Sequence, residues 1–285
     1  MSSTVRSRRL IVNADDFGFS AGITEGILRA HREGIVTSTT IAANMPAAES
    51  AVAALRGAPS LGVGVHLNVS QGPPLSRPGR EKLAGEGGLM NRTAVGVIQA
   101  VLRRPWLLGA IEAEFDAQIQ WALAHGVRPT HLDSHRHSHA FTPIFACVAR
   151  LARRYDIPFI RRHREALPGP GWPAAPRKQR RTSFILNRLG GVNRLLWPGR
   201  LATSGTWGVA HTGCIDAGWL VRAASVLPAG VTEWMVHPGL PGDVDSLLSR
   251  LGDSRRMELS ALCDPAVVEK LRQERVELTH YGKLR

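Results

Sequence analysis

Apolar residues fall into two alternating rhythms along this chain. Short apolar runs at Leu10 to Ala14 and Leu61 to Leu67, and a run rich in β-branched residues at Thr37 to Ala43, read as strands. Between them, Ile23, Ile27, Leu28 and His31 mark a helical stripe, which predicts a helix over Ala21 to Glu33 stopped by Gly34. A second helix is expected over Ala47 to Arg56, ended by Gly57 and Pro59. Strand, helix, strand, helix, strand predicts a parallel sheet or barrel with right-handed crossovers.

The rhythm continues after a long Gly-, Pro- and charge-rich loop, Ser70 to Gly88. Helices are expected over Pro105 to His125, Pro143 to Tyr155, Ala217 to Leu227 and Pro265 to Arg275. Strands are expected at Val127 to Thr130, Ile157 to Arg161, Thr206 to His211, Val231 to Val236 and Val276 to His280. Gly169 to Pro176 is a Pro/Gly-rich excursion, followed by a basic amphipathic stretch from Arg177 to Arg200. The 285 residues suit one large α/β domain, residues 1–285, with a basic insertion at about 165–205.

Four of the strand-like segments end in chemistry. Leu10 to Ala14 runs into Asp15-Asp16-Phe17-Gly18, and Leu61 to Leu67 carries His66. Val127 to Thr130 leads into His131-Leu132-Asp133-Ser134-His135-Arg136-His137-Ser138-His139, and Val231 to Val236 delivers His237 before Pro238. Four histidines in nine residues have no packing rationale, whereas imidazole is the commonest metal ligand and titrates near neutrality. Neighbouring residues of a strand face opposite ways, so Asp15 and Asp16 serve one site only where the backbone turns. Together the four ends suggest groups converging on one rim of a parallel sheet or barrel.

Asp16, His66 and His135 form a candidate metal site, two imidazoles and a carboxylate with positions left for water and substrate. The nitrogen donors suggest Zn2+, and the carboxylate equally admits Mg2+. Asp15 is then the candidate general base and His237 the candidate acid for a departing amine. His139 and Arg161 are candidate substrate contacts, with Arg161 alternatively holding Asp15. Asp133 is a candidate for fixing the tautomer of a ligand histidine, and His131 and His137 for orienting their neighbours.

The net charge of +13 is concentrated. Thirteen basic residues between Arg150 and Arg200 face only Asp156 and Glu165, which points to an anionic partner such as a membrane surface or a phosphate-bearing substrate. An aromatic content of 6% is low for base stacking and argues against nucleic acid. Cys147, Cys214 and Cys263 form no CxxC pair, and no run reaches the length of a membrane span. A cytoplasmic setting, with peripheral membrane contact, is the expectation, and pairing with a second copy is left open. No dinucleotide or P-loop glycine pattern supports nucleotide binding.

The segments IVNADDFGFS, GIVTSTT, GVHLN, PTHLDSHRHSH and HPG, in that order between residues 10 and 239, resemble the YdjC-like carbohydrate deacetylase family. The resemblance implies a distorted, TIM-like (β/α) barrel of the polysaccharide-deacetylase type, one divalent metal ion, and removal of acetyl from an N-acetylated amino sugar. By motif it assigns Asp16, His66 and His135 to the metal, Asp15 to the base and His237 to the acid. The substrate expected from it is an oligosaccharide, a glycosylated natural product or a glycolipid such as a hopanoid. Cleavage of another bond, such as a phosphoester, and a non-catalytic barrel that binds anionic surfaces are the alternatives.

Overall fold

The computed structural model describes residues 7–165, 172–195, 203–240 and 251–284. The basic N-terminal residues 1–6 and parts of the expected insertion, 166–171 and 196–202, lie outside the described residues. The elements run β1 (Arg8–Phe17), α1 (Ala21–Arg32), β2 (Ser38–Ile41), α2 (Ala48–Ala54), β3 (Gly62–Leu67), β4 (Gln71–Gly72), α3 (Arg77–Lys82), β5 (Met90–Asn91), α4 (Ala94–Arg103) and α5 (Leu107–Ala124). They continue with β6 (His131–Ser134), α6 (Thr142–Arg154), β7 (Phe159–Ile160), α7 (Arg177–Asn193), β8 (Gly205–Trp207), α8 (Ala217–Ser225), β9 (Gly230–Val236), α9 (Ser254–Leu262), α10 (Pro265–Gln273) and β10 (Val276–Thr279).

One parallel sheet has the order β7-β6-β3-β2-β1-β9-β8. β10 pairs with the first half of β1, on the edge whose second half pairs with β2. The sheet curls until its two edges meet: His163, just beyond β7, makes a single parallel bridge to Thr206 of β8. A side chain at position 205 would fall on the Arg164 carbonyl, so Gly205 permits this approach. The result is the expected distorted barrel, its seam joined among the described residues by one isolated bridge.

The core agrees with the apolar rhythm. Ile23, Ile27 and Leu28 of α1 pack with Leu10, Val12 and Ala14 of β1 and with Trp219, Leu220 and Leu262 in one buried cluster. Ser20 caps α1 by accepting the Ile23 N–H, and Asp216 caps α8 by accepting that of Trp219.

Three expectations are corrected. The strand before the histidine cluster is His131–Ser134 itself, not Val127 to Thr130. Gly126, with φ +83°, and Pro129 shape the approach, and the polar strand residues are satisfied sideways, so an apolar template misses them. The Ser70 to Gly88 loop holds α3, capped by Ser76 and held by the Glu114 carboxylate, which accepts the N–H groups of Leu75 and Ser76. Two helices, α4 and α9, fall where none is expected.

Candidate active site

The site lies at the carboxyl ends of β1, β3, β6, β7 and β9, where parallel α/β sheets leave loops free to carry chemistry. Asp15, Asp16, His66, His135 and His237 all line one cleft of about 540 Å3. β1 does not end at its acids as the sequence suggests. It runs on to Phe17, and the register with β2 shifts between Ala14 and Phe17, with Asp16 in the left-handed region at φ +74°. That bulge turns both carboxylates to the same cleft.

His66 and Asp133 are register partners on β3 and β6, so their side chains emerge side by side. Asp133 Oδ1 lies 2.7 Å from His66 Nδ1, and the Thr40 hydroxyl donates to Asp133 Oδ2 at 3.1 Å. His66 Nε2 then lies 3.4 Å from Asp16 Oδ1, and His135 Nδ1 lies 3.2 Å from the same oxygen. Asp16, His66 and His135 offer donor atoms all within 4.8 Å of one another. Asp15, His66 and Asp133 form a second such group, but both carboxylates there are already held by Arg161.

Arg161, directly after β7, is buried beneath the floor. Its two terminal nitrogens donate to Asp15 Oδ2 and Oδ1 at 2.7 and 2.6 Å, and its Nε to Glu233 Oε1 at 3.0 Å. Burial pushes the Asp15 carboxyl up, but Arg161 outweighs it and holds the acid far below 3.8, hence ionised. Burial likewise opposes ionisation of Asp16, where Arg255 and the two histidines prevail. Burial acts to lower His66, yet Asp133, Asp16 and Asp15 raise it to about 10. Such a pull on a proton marks a place with surplus negative charge.

Asp15, Asp16, Asp133 and Glu233 are buried carboxylates, and Arg161 and Arg255 are the buried guanidiniums paired with them. The carboxylates outnumber the guanidiniums that hold them, which favours a cation at the cleft floor. The donor set of two imidazoles and one carboxylate fits as well, since Asp133 orients one imidazole and leaves its other nitrogen free to ligate.

His237, just past β9, is held by its backbone N–H, which donates to Glu258 Oε2 at 2.6 Å. Burial brings its imidazole down to about 4, so it rests neutral and must acquire a proton before donating one. His137 lines the cleft and contacts His163, 3.1 Å away. The expectation that His139 and Arg161 touch substrate meets a steric obstacle. His139 is fully buried between Ser134 and the Arg161 carbonyl, Arg161 is enclosed by carboxylates, and neither lines the cleft. His131 also lies away from it, stacked on Tyr281 with ring centroids 4.0 Å apart.

Sequence reasoning misses several residues here. Arg255 of α9 donates to Asp16 and approaches the His237 carbonyl, and no pattern marks it. Lys178 and Thr182 bring the basic helix α7 to the cleft wall. Glu233 did carry a signal, a carboxylate inside the apolar strand Val231-Thr232-Glu233-Trp234-Met235-Val236.

A curled parallel sheet with acids and histidines gathered at its carboxyl rim defines an α/β barrel with a candidate active site where such folds place chemistry. Comparison makes it specific: residues 9–273 match the YdjC-like protein family, and this chain belongs to it. The chain is 45% identical over 152 residues to a carbohydrate deacetylase of Halalkalibacterium halodurans, covering 53% of this chain and 62% of that one. It is 44% identical over 161 residues to a carbohydrate deacetylase of Geobacillus stearothermophilus, covering 56% and 62%. These matched stretches span about three fifths of each relative's length. A carbohydrate deacetylase of Thermoanaerobacter pseudethanolicus aligns end to end, 28% identical over 97% of this chain and 99% of that one. In fold, the chain matches a crystal structure of a "putative cellobiose-phosphate cleavage protein" from Enterococcus faecalis V583 with TM-score 0.74, at 24% identity over 98% and 99% of the two chains.

Proposed function

We propose that this protein is a divalent-metal-dependent carbohydrate N-deacetylase, hydrolysing the acetamide of an N-acetylated amino sugar to acetate and a free amine. The observation that carries this reading is the meeting of Asp16, His66 and His135 at the cleft floor beside Asp15 and His237. Membership of a family with relatives named carbohydrate deacetylase supports it.

Asp16, His66 and His135 would hold the ion, Zn2+ or Mg2+. Bound there, it would supply a Lewis acid for the acetyl carbonyl and lower the pKa of water. Asp15, kept ionised by Arg161, accepts the proton of the attacking water. His237, neutral at rest, relays a proton to the nitrogen as the C–N bond breaks, and the Glu258 carboxylate on its backbone N–H holds it in place. Arg161 is a positioning residue: its fork fixes both oxygens of Asp15 and keeps that carboxylate turned to the cleft.

The test is acetate release from a panel of N-acetylated amino sugars by protein reconstituted with Zn2+ or Mg2+, against an EDTA-treated control. Metal-dependent acetate from any member supports the reading. Bound metal with no acetate from any of them, and phosphate from sugar phosphates instead, would replace it with phosphoester hydrolysis.

A further inference from the structure

Helix α7 has two faces of different chemistry. Ser183, Leu186, Gly190 and Asn193 are buried and tie the helix to the barrel seam. The Ser183 hydroxyl donates to Glu165 at 2.6 Å, Asn193 donates to the Ala140 carbonyl at 2.8 Å, and Gly190 lies so close to the His163 carbonyl that no side chain would fit. At about 100° per residue, the opposite stripe carries Arg177, Arg181, Phe184, Ile185, Arg188 and Val192.

That stripe mixes cations with apolar groups left in water. Phe184, Ile185 and Val192 are 48%, 56% and 50% exposed, and Leu195, just past the helix end, is 80% exposed. From Arg177 to Leu195 the sequence holds six Lys and Arg residues and no Asp or Glu. Arg177, Arg180 and Arg181 border an open crevice of about 570 Å3, and Phe184 and Ile185 complete its described lining. The Arg188 guanidinium lies 5.2 Å over the Phe184 ring. On the flank of the same helix, Lys178 and Thr182 line the catalytic cleft.

We propose that the outer face of α7 is a docking surface for an anionic lipid bilayer. Guanidiniums would meet lipid phosphates while Phe184, Ile185, Val192 and Leu195 enter the headgroup boundary, the arrangement expected of a helix lying in the interface plane. A nucleic acid would satisfy the charge and leave the apolar side chains in water, so the combination favours lipid. No helix among the described residues is long and apolar enough to cross a membrane, so contact of this kind is peripheral. Docking stands independently of the deacetylase reading. Resting on that reading, it favours, among the substrates the resemblance implies, an acetylated sugar carried on a lipid that enters the cleft past Lys178 and Thr182.

Co-sedimentation of the full chain with phosphatidylcholine vesicles, with and without phosphatidylglycerol, tests the docking without recourse to activity. Wild-type protein is expected to pellet with the anionic vesicles and to retain part of that binding as salt rises. Arg181→Glu/Arg188→Glu and Phe184→Ser/Ile185→Ser are each expected to weaken it by about tenfold or more, with unchanged circular dichroism and unchanged hydrolysis of a soluble acetylated sugar. Three results would overturn the proposal: no pelleting of wild type, pelleting unaltered by both variants, or binding abolished by moderate salt and indifferent to the serine variant. Tight binding of a single-stranded RNA with the vesicles ignored would give the face to nucleic acid instead.

Discussion

Asp133 decides which nitrogen of His66 faces the cleft. With Nδ1 held at 2.7 Å by that carboxylate, Nε2 is turned toward Asp16. Because the two residues are register partners in the sheet, the orientation is set by backbone pairing rather than by a loop. Removing the acid therefore tests orientation separately from ligation.

Asp133→Asn should weaken divalent-ion binding by about 10- to 100-fold while leaving one ion per chain at saturation. Asp16→Ala, His66→Ala and His135→Ala should each lose stoichiometric binding and acetate release together. Isothermal titration with Zn2+ measures affinity and stoichiometry, and an acetate assay measures release. Full-affinity binding in the three ligand variants would place the ion elsewhere.

Asp15→Asn removes the proton acceptor without removing a proposed ligand. It should keep the metal and the fold and lower turnover by about 10²- to 10⁴-fold. Turnover equal to that of wild type would exclude Asp15 as the base.

Arg161→Met would leave Asp15, Asp133 and Glu233 buried without their shared cation. Breaking a buried pair in this way costs about 3–5 kcal/mol, readable from urea denaturation of the metal-free protein. Arg161→Lys should recover little, since a point charge cannot hold both oxygens of Asp15 and also reach Glu233.

Burial holds His139 down to about 3 and His237 down to about 4, whereas the unfolded chain protonates them near 6.5. Below 6.5 the unfolded state therefore binds more protons, and stability falls with pH until the folded values are reached. Each group contributes a slope of up to about 1.4 kcal/mol per pH unit in that window. Asp15 and Asp16, held below 3.8, act only in more acidic solution. His139→Gln should flatten the decline between pH 6.5 and 4 in a series of urea midpoints; an unaltered slope would show that this burial is not felt as a proton deficit.

The sequence exposes the elements whose side chains obey one period and hides those that do not. β1, β3 and β9 read as strands because each carries a buried apolar run, and β2 because its residues are largely β-branched. β6 is buried as thoroughly, but by pairing His66 with Asp133 and stacking His131 on Tyr281, which a hydrophobic template cannot recognise. α4 escapes notice because Val95 and Leu102 stay exposed and blur its stripe. Asp15, Asp16, His66, His135 and His237 stand out from their apolar surroundings. Arg255 does not, since what matters about it is distance to Asp16 across 239 positions of chain.

Among the described residues, one isolated bridge, His163–Thr206, joins the two edges of the sheet, so the barrel is a loosely closed ring. Side chains close the gap: on the inner side Arg161 reaches Glu233, and further along Glu165 accepts the backbone N–H groups of Gly208 and Ala210 and the Ser183 hydroxyl from α7. Burial raises the pKa of both acids, so each is more easily neutralised than an ordinary carboxylate. Among the described residues the seam is thus held by two carboxyl groups more than by strand pairing, and the clasp sits where the basic helix and the positioning arginine adjoin. Whatever moves α7 outward strains the hoop at its weakest link, and the first side chain inside that link is the one holding Asp15.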